Sequence, residues 1–252
     1  MLVGSYLIYA TAMVALHPRF IYPFSADAFD NPAFQQEVVS DRDVTLAIAE
    51  GDDDLAVLFF MGNGGSLAYF TFSLDAHQDA GRTVVGLEYR GGAGIAGKPS
   101  EEGLKADALA AYDWLATQHD GPIAVHGFSL GTGLAIHVAA SRQVDAIVLA
   151  APYATLCELM PKGSYLPACY LPAVQKWRSI DDVPALTAPV LIQHGTADQL
   201  IPISYGERLA AAMEGAGLQV SFQPIEGATH NNLPGQPGYQ ARINAFLDEV
   251  QK

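Results

Sequence analysis

Gly127-Phe128-Ser129-Leu130-Gly131 has the G-x-S-x-G form that presents a serine hydroxyl on a sharp turn. A short apolar run ends at this pattern and a helical pattern begins within it, which is the strand–turn–helix setting the chemistry needs. Such a turn lifts the hydroxyl above a sheet, while the flanking glycines let backbone approach without a Cβ in the way. The following helix points its N-terminal N–H groups and positive dipole end at the anion that forms. Ser129 is therefore the expected nucleophile. A serine needs an adjacent base to be effective, and seven histidines compete for that role. His126 falls inside the strand before the serine, His137 lies two turns into the next helix, and His194 ends a strand. His17, His77 and His119 have no supporting context. His230 sits in the turn-rich Glu226-Gly227-Ala228-Thr229-His230-Asn231-Asn232, after the last strand and before the last helix, the right place and chain order for the base. An acid must orient the imidazole and stabilise its cation. Asp198, in His194-Gly195-Thr196-Ala197-Asp198-Gln199-Leu200-Ile201-Pro202, has that position. Glu226 is the rival through closeness in sequence, and Asp145 begins a strand at the wrong end.

Acyl transfer also needs donors for the developing oxyanion. One is expected from the backbone N–H of Leu130. The other is expected from the N–H of Asn63, in Met61-Gly62-Asn63-Gly64-Gly65 at the end of an earlier strand. A plain tight turn is the alternative for this glycine cluster. A phosphate loop is excluded by the missing lysine and missing G-x-x-x-x-G-K spacing. This mechanism requires no metal and no organic cofactor.

The elements that must hold these residues are legible as short apolar runs at 55–61, 83–89, 123–128, 146–151, 190–194 and, more weakly, 220–224. They are rich in Val, Ile and Leu without polar alternation, as suits strands buried on both faces. Helical patterns alternate with them. Ser100 is a candidate N-cap followed by Glu101 and Glu102, and Leu104, Ala108, Ala111 and Leu115 make one apolar stripe. Residues 131–141, 203–214 and 239–250 read as further helices. Such alternation predicts an α/β fold, with a mostly parallel, doubly wound sheet and helices on both faces. Its chemistry is expected at the carboxyl ends of the strands. Residues 25–43 read as an extended lead-in. Residues 152–184 interrupt the alternation with aromatic and proline-rich sequence, predicting a cap over the site or an irregular packed insertion. Met61, Tyr153, Met160, Tyr165 and Trp177 are the expected substrate-pocket residues.

Half of the 252 residues are hydrophobic and 16% are charged, which excludes a disordered chain. A net charge of −14 without a basic stripe argues against nucleic acid as a partner. Cys157 and Cys169 are too few for a disulfide scaffold; they pair outside the cytosol or remain two apolar thiols. Residues 2–16 are apolar, short of the roughly 18–20 needed to span a bilayer. Three readings stand for them: a membrane anchor or interfacial helix, a helix packed on the domain, or a signal peptide ending near Ala10-Thr11-Ala12. Compartment and oligomeric state stay open. The chain divides into an N-terminal segment, 1–24, and a domain at 25–252 that carries the cap.

Taken together, the sequence resembles the α/β-hydrolase-fold serine hydrolases. Within them it is similar to the membrane-anchored ABHD-type branch of depalmitoylases and lysophospholipid hydrolases. That branch carries H-G-N-x-G where Met61-Gly62-Asn63-Gly64-Gly65 stands here. It carries D-Y-R-G-x-G where Glu88-Tyr89-Arg90-Gly91-Gly92-Ala93-Gly94 stands, with a glycine shift. Pro99-Ser100-Glu101-Glu102-Gly103 and the motifs around Ser129, Asp198 and His230 recur in order, as does the apolar start ending in Phe20-Ile21-Tyr22-Pro23. Met61 departs from the pattern, implying altered loop packing with the Asn63 donor retained. The expected activity is cleavage of carboxylic esters or thioesters with an apolar acyl group through an acyl-enzyme on Ser129, with a small-molecule or lipid-like substrate. The alternatives are a lysophospholipid lipase or a serine peptidase of the same fold. From another class comes an inactive hydrolase-fold binding protein, whose signature would be loss of a triad member.

Overall fold

A computed structural model describes residues 2–160 and 166–251. The chain opens with helix α1 (Leu2–Ile21). Two strands follow, β1 (Gln35–Val39) and β2 (Val44–Ala49), and then β3 (Ala56–Phe60), α2 (Thr71–Gln78) and β4 (Thr83–Glu88). Next come α3 (Glu101–Gln118), β5 (Ile123–Phe128), α4 (Leu130–Ser141) and β6 (Ala146–Ala150). The last part holds the single turn α5 (Ser179–Asp182), β7 (Val190–Gly195), α6 (Ile203–Gly215), β8 (Val220–Ile225) and α7 (Tyr239–Val250). The eight strands form one sheet in the order β1-β2-β4-β3-β5-β6-β7-β8. Pairing is antiparallel at β1–β2 and β2–β4 and parallel from there on. The expected α/β architecture is the observed one.

The central strands are buried along their whole length, as continuous apolar runs in a parallel sheet require. Ser100 caps α3 by accepting a hydrogen bond from the Gly103 N–H at 3.0 Å, and Leu104, Ala108, Ala111 and Leu115 face the core.

The lead-in at 25–43 is corrected by the β1–β2 hairpin, whose turn places Ser40 and Asp43 at positive φ. Exposed Gln35, Gln36 and Glu37 keep this outer strand polar, so it lacks the apolar density of the inner runs. Between β6 and β7, the described residues of the expected cap (152–160 and 166–184) leave the sheet and form short 3₁₀ turns and α5. Cys157 and Cys169 form a disulfide within it.

Helix α1 continues past Pro18, which has no N–H to offer the Val14 carbonyl. His17 Nδ1 takes that carbonyl at 2.6 Å instead. Among the described residues, no helix is long and apolar enough to cross a membrane.

Candidate active site

Strand β5 delivers Ser129 directly into α4, and the connection is sharp enough to hold Ser129 at φ 51°, ψ −115°. A positive φ is costly for a residue with a Cβ and persists where the surroundings enforce it. Here the enforcement is close packing. A Cβ on Gly127 would come within 2.5 Å of the Gly131 carbonyl oxygen, and one on Gly131 within 2.1 Å of the Phe60 carbonyl oxygen. The Ser129 N–H is anchored to the Ala150 carbonyl of β6 at 2.9 Å.

The three residues expected to act together are brought together. Ser129 Oγ lies 2.9 Å from His230 Nε2, and His230 Nδ1 lies 2.7 Å from Asp198 Oδ2. A carboxylate can only accept, so Nδ1 carries the proton and Nε2 is left to accept from the serine hydroxyl. Asp198 Oδ1 accepts from the N–H groups of Leu200 at 2.9 Å and Ile201 at 2.8 Å. Burial by itself would raise the Asp198 pKa. His194, His230 and the backbone partners together outweigh burial and hold the carboxyl well below the usual carboxylate range. His194 is the second imidazole beside this carboxylate and also lowers its pKa. Its Nε2 donates to the Ile201 carbonyl at 2.8 Å and stands 3.6 Å from Asp198 Oδ2.

Of the other histidines, His17 borders the same cavity as Ser129 and the rest lie away from the serine. His126 is a buried strand residue whose pKa burial pushes down to about 3, with its Nδ1 2.9 Å from Nε2 of buried His77. His137 lies on α4 near Asp182, and His119 reaches the Asp54 carbonyl. Asp145 instead accepts from the Ile123 N–H at 2.8 Å. Glu226 is exposed on its turn.

Asn63 and Leu130 border the same 410 Å³ cavity as Ser129. The glycine-rich loop is fixed from behind by buried Tyr89, whose hydroxyl donates to the Met61 carbonyl at 2.7 Å. The Ser25 N–H donates to the Gly64 carbonyl at 2.8 Å. Beyond its place after β4, nothing in the sequence marks Tyr89 for this support.

The pocket expectation is corrected in part. Met61, Tyr153 and Trp177 do not border the cavity; all three are fully buried in the core. Tyr153 turns its hydroxyl to the Leu130 carbonyl at 3.2 Å, and Trp177 Nε1 donates to the Tyr22 hydroxyl at 2.9 Å. Large side chains with one polar tip settle inside when that tip finds a partner. Met160 does border the cavity, and Tyr165 lies outside the described residues. The apolar wall comes from smaller cap residues, including Leu156, Leu159, Ala168, Leu171 and Val174. A second wall comes from α1, through Met13, Val14, His17, Phe20 and Ile21, which sequence reasoning assigned to a terminal segment. Among the described residues, no cluster of His, Cys, Asp and Glu could hold a metal ion.

Comparison with known proteins agrees with this architecture. Residues 93–245 match the dienelactone hydrolase family. The Mycobacterium tuberculosis protein Rv2307c is 35% identical over 207 residues, covering 79% of this chain and 72% of its own. Human ABHD12B is 32% identical over 196 residues, covering 68% of this chain, which spans only 54% of that relative's length. Among solved structures, Pyrococcus furiosus esterase Pf2001 superposes with a TM-score of 0.75 at 17% identity, covering 90% of this chain and 96% of the esterase. Thermogutta terrifontis Est2 gives 0.68 at 24% identity, covering 87% and 95%. The chain belongs to the dienelactone hydrolase family and is a hydrolase of the α/β-hydrolase fold.

Proposed function

We propose that this hydrolase cleaves carboxylic esters or thioesters with an apolar acyl group through an acyl-enzyme on Ser129. The observation that carries the reading is the unbroken chain Ser129 Oγ–His230–Asp198 opening into a mostly apolar cavity. His230 Nε2 takes the hydroxyl proton as Ser129 Oγ bonds to the substrate carbonyl carbon. The oxyanion so formed faces the N–H groups of Leu130 and Asn63. As the tetrahedral adduct collapses, the bond to the alcohol or thiol breaks and His230 returns the proton to that leaving group. Water, deprotonated by the same imidazole, then attacks the acyl-Ser129 ester, releasing the acid and restoring the hydroxyl. Asp198 keeps its charge throughout and holds the imidazole tautomer. Turnover of p-nitrophenyl butyrate and octanoate tests the reading. Ser129→Ala is expected to reduce kcat by several orders of magnitude, and normal turnover in that variant overturns it.

A lipid-like substrate is favoured by the start of α1. Residues 2–16 contain no charge, and Leu7 and Ile8 are 59% and 74% exposed. We assign residues 2–12 to contact with a lipid surface, an arrangement in which these first turns of α1 lie against lipid while the rest of the chain folds as the hydrolase domain. The full chain is then expected to co-sediment with phosphatidylcholine vesicles and a 2–12 deletion to stay in solution. Equal partitioning of the two contradicts the assignment.

A further inference from the structure

We infer that α1 is the selectivity wall of the acyl site, and that it fits the cavity to a medium-chain acyl group of about eight to twelve carbons. The inference rests on the acyl-enzyme reading above and extends it to the choice of substrate. Met13, Val14, His17, Phe20 and Ile21 recur at i, i+1, i+4, i+7 and i+8, so one stripe of α1 faces the cavity that contains Ser129. Leu159, Met160 and Leu171 of the cap border it as well. Val14 also packs on the small cluster around Cys157, Ala168 and Val174, which joins helix and cap at that point.

This wall is fixed in place. The proton that His17 Nδ1 gives to the Val14 carbonyl leaves Nε2 as an acceptor, and it receives the Gln175 N–H at 3.1 Å. One turn later Tyr22 is buried beneath the cap, where it donates to Gln175 Oε1 and accepts from Trp177 Nε1. Two cross-links between α1 and the strip 175–177 therefore set the width of the cavity. A side chain projecting from α1 changes that width directly, since packed walls resist displacement.

The volume sets the scale of the chain. The 410 Å³ cavity is open on one side, so its volume sets a scale and not a sharp limit: taking about 30 Å³ for a small group in a liquid, it is of the order needed for a chain of roughly ten carbons. Short acids leave most of the apolar wall unfilled. Long ones must leave the cavity.

The test compares kcat/KM of the full chain on p-nitrophenyl butyrate, octanoate, decanoate and palmitate. Wild type is expected to peak at octanoate or decanoate. Val14→Trp is expected to lower the decanoate-to-butyrate ratio at least tenfold, and Met13→Ala to move the optimum two or more carbons longer. A wild-type optimum at butyrate or palmitate overturns the fitted length. Ratios that stay within twofold of wild type in both variants overturn the role of α1. Should Val14→Trp not fold, as read by far-ultraviolet circular dichroism, the Met13→Ala optimum decides alone. A wild type that turns over none of these esters counts against the acyl-enzyme reading itself, an outcome distinct from active enzyme with an unmoved profile.

Discussion

Asp198 combines two opposed influences: it is buried, yet its carboxyl is held below the usual range by imidazole and backbone partners. A carboxylate in that setting remains charged across the working pH range and enforces the His230 tautomer that accepts from Ser129. Asp198→Asn keeps the shape and loses the charge, so kcat on a p-nitrophenyl ester is expected to fall by about 10⁴-fold, as when the acid of such a triad is neutralised. Retention of more than a tenth of wild-type kcat contradicts the assigned role. The residues proposed to act were legible because each answers to a local rule. Gly127 and Gly131 are demanded by backbone contacts, and the loops of Asp198 and His230 follow strands in the expected order. Met61, Tyr153 and Trp177 were misread as pocket residues because an apolar or aromatic type is equally at home in a cavity wall and in a core. Only the partners of the polar tips of Tyr153 and Trp177 distinguish the two, and those partners lie 23 and 155 residues away in sequence.

Elements whose own sequence fixes them were read closely. Helix α7 spans the expected 239–250, and α3 starts at the Ser100 cap. Hairpin β1–β2 was not read, since its outer strand is polar and is fixed by pairing with β2. The terminal helix shows the same limit from the other side. Its apolar composition was plain, but contact with the cap is made by His17 and Tyr22 through Gln175, which local pattern does not reveal. The cap depends on a covalent tie as well. Cys157 and Cys169 are 12 residues apart and enclose Leu159, Met160, Leu166 and Ala168 of the cavity wall. Closing a loop of that size restricts the opened segment by about 3 kcal/mol in the chain-entropy account. Cys157→Ser with Cys169→Ser is therefore expected to speed limited proteolysis of the cap by roughly a hundredfold, and an unchanged cleavage rate contradicts that view.

Across the molecule, the sheet is covered on its faces by largely apolar clusters, which makes a carboxyl buried at the end of β4 consequential. Glu88 ends β4 opposite Thr45 of β2, is 3% exposed, and is pushed by burial up to about 7, with only partial relief from the Leu67 N–H. Below its ordinary value of 4.5 both folded and unfolded chains hold the proton, and the site adds no penalty. Between 4.5 and 7 the unfolded chain releases the proton while the folded chain keeps it, so stability falls as pH rises. Above 7 the loss is complete at about 3 kcal/mol. Urea unfolding at pH 4.5 and pH 8 is expected to show that loss in wild type and its absence in Glu88→Gln; parallel pH curves contradict the assignment. The overall acidity, −14, has no assigned part in the chemistry and serves only to disfavour nucleic acid as a partner. The fold, the strained serine turn and the α1-walled cavity converge on one atom, Ser129 Oγ. Incubation of the full chain with a fluorophosphonate, followed by peptide mass spectrometry, reads that atom directly. One covalent adduct is expected, on the peptide carrying Ser129, with loss of ester turnover in proportion to labelling. An adduct on another residue, or full turnover by chain that is fully labelled at Ser129, would contradict it.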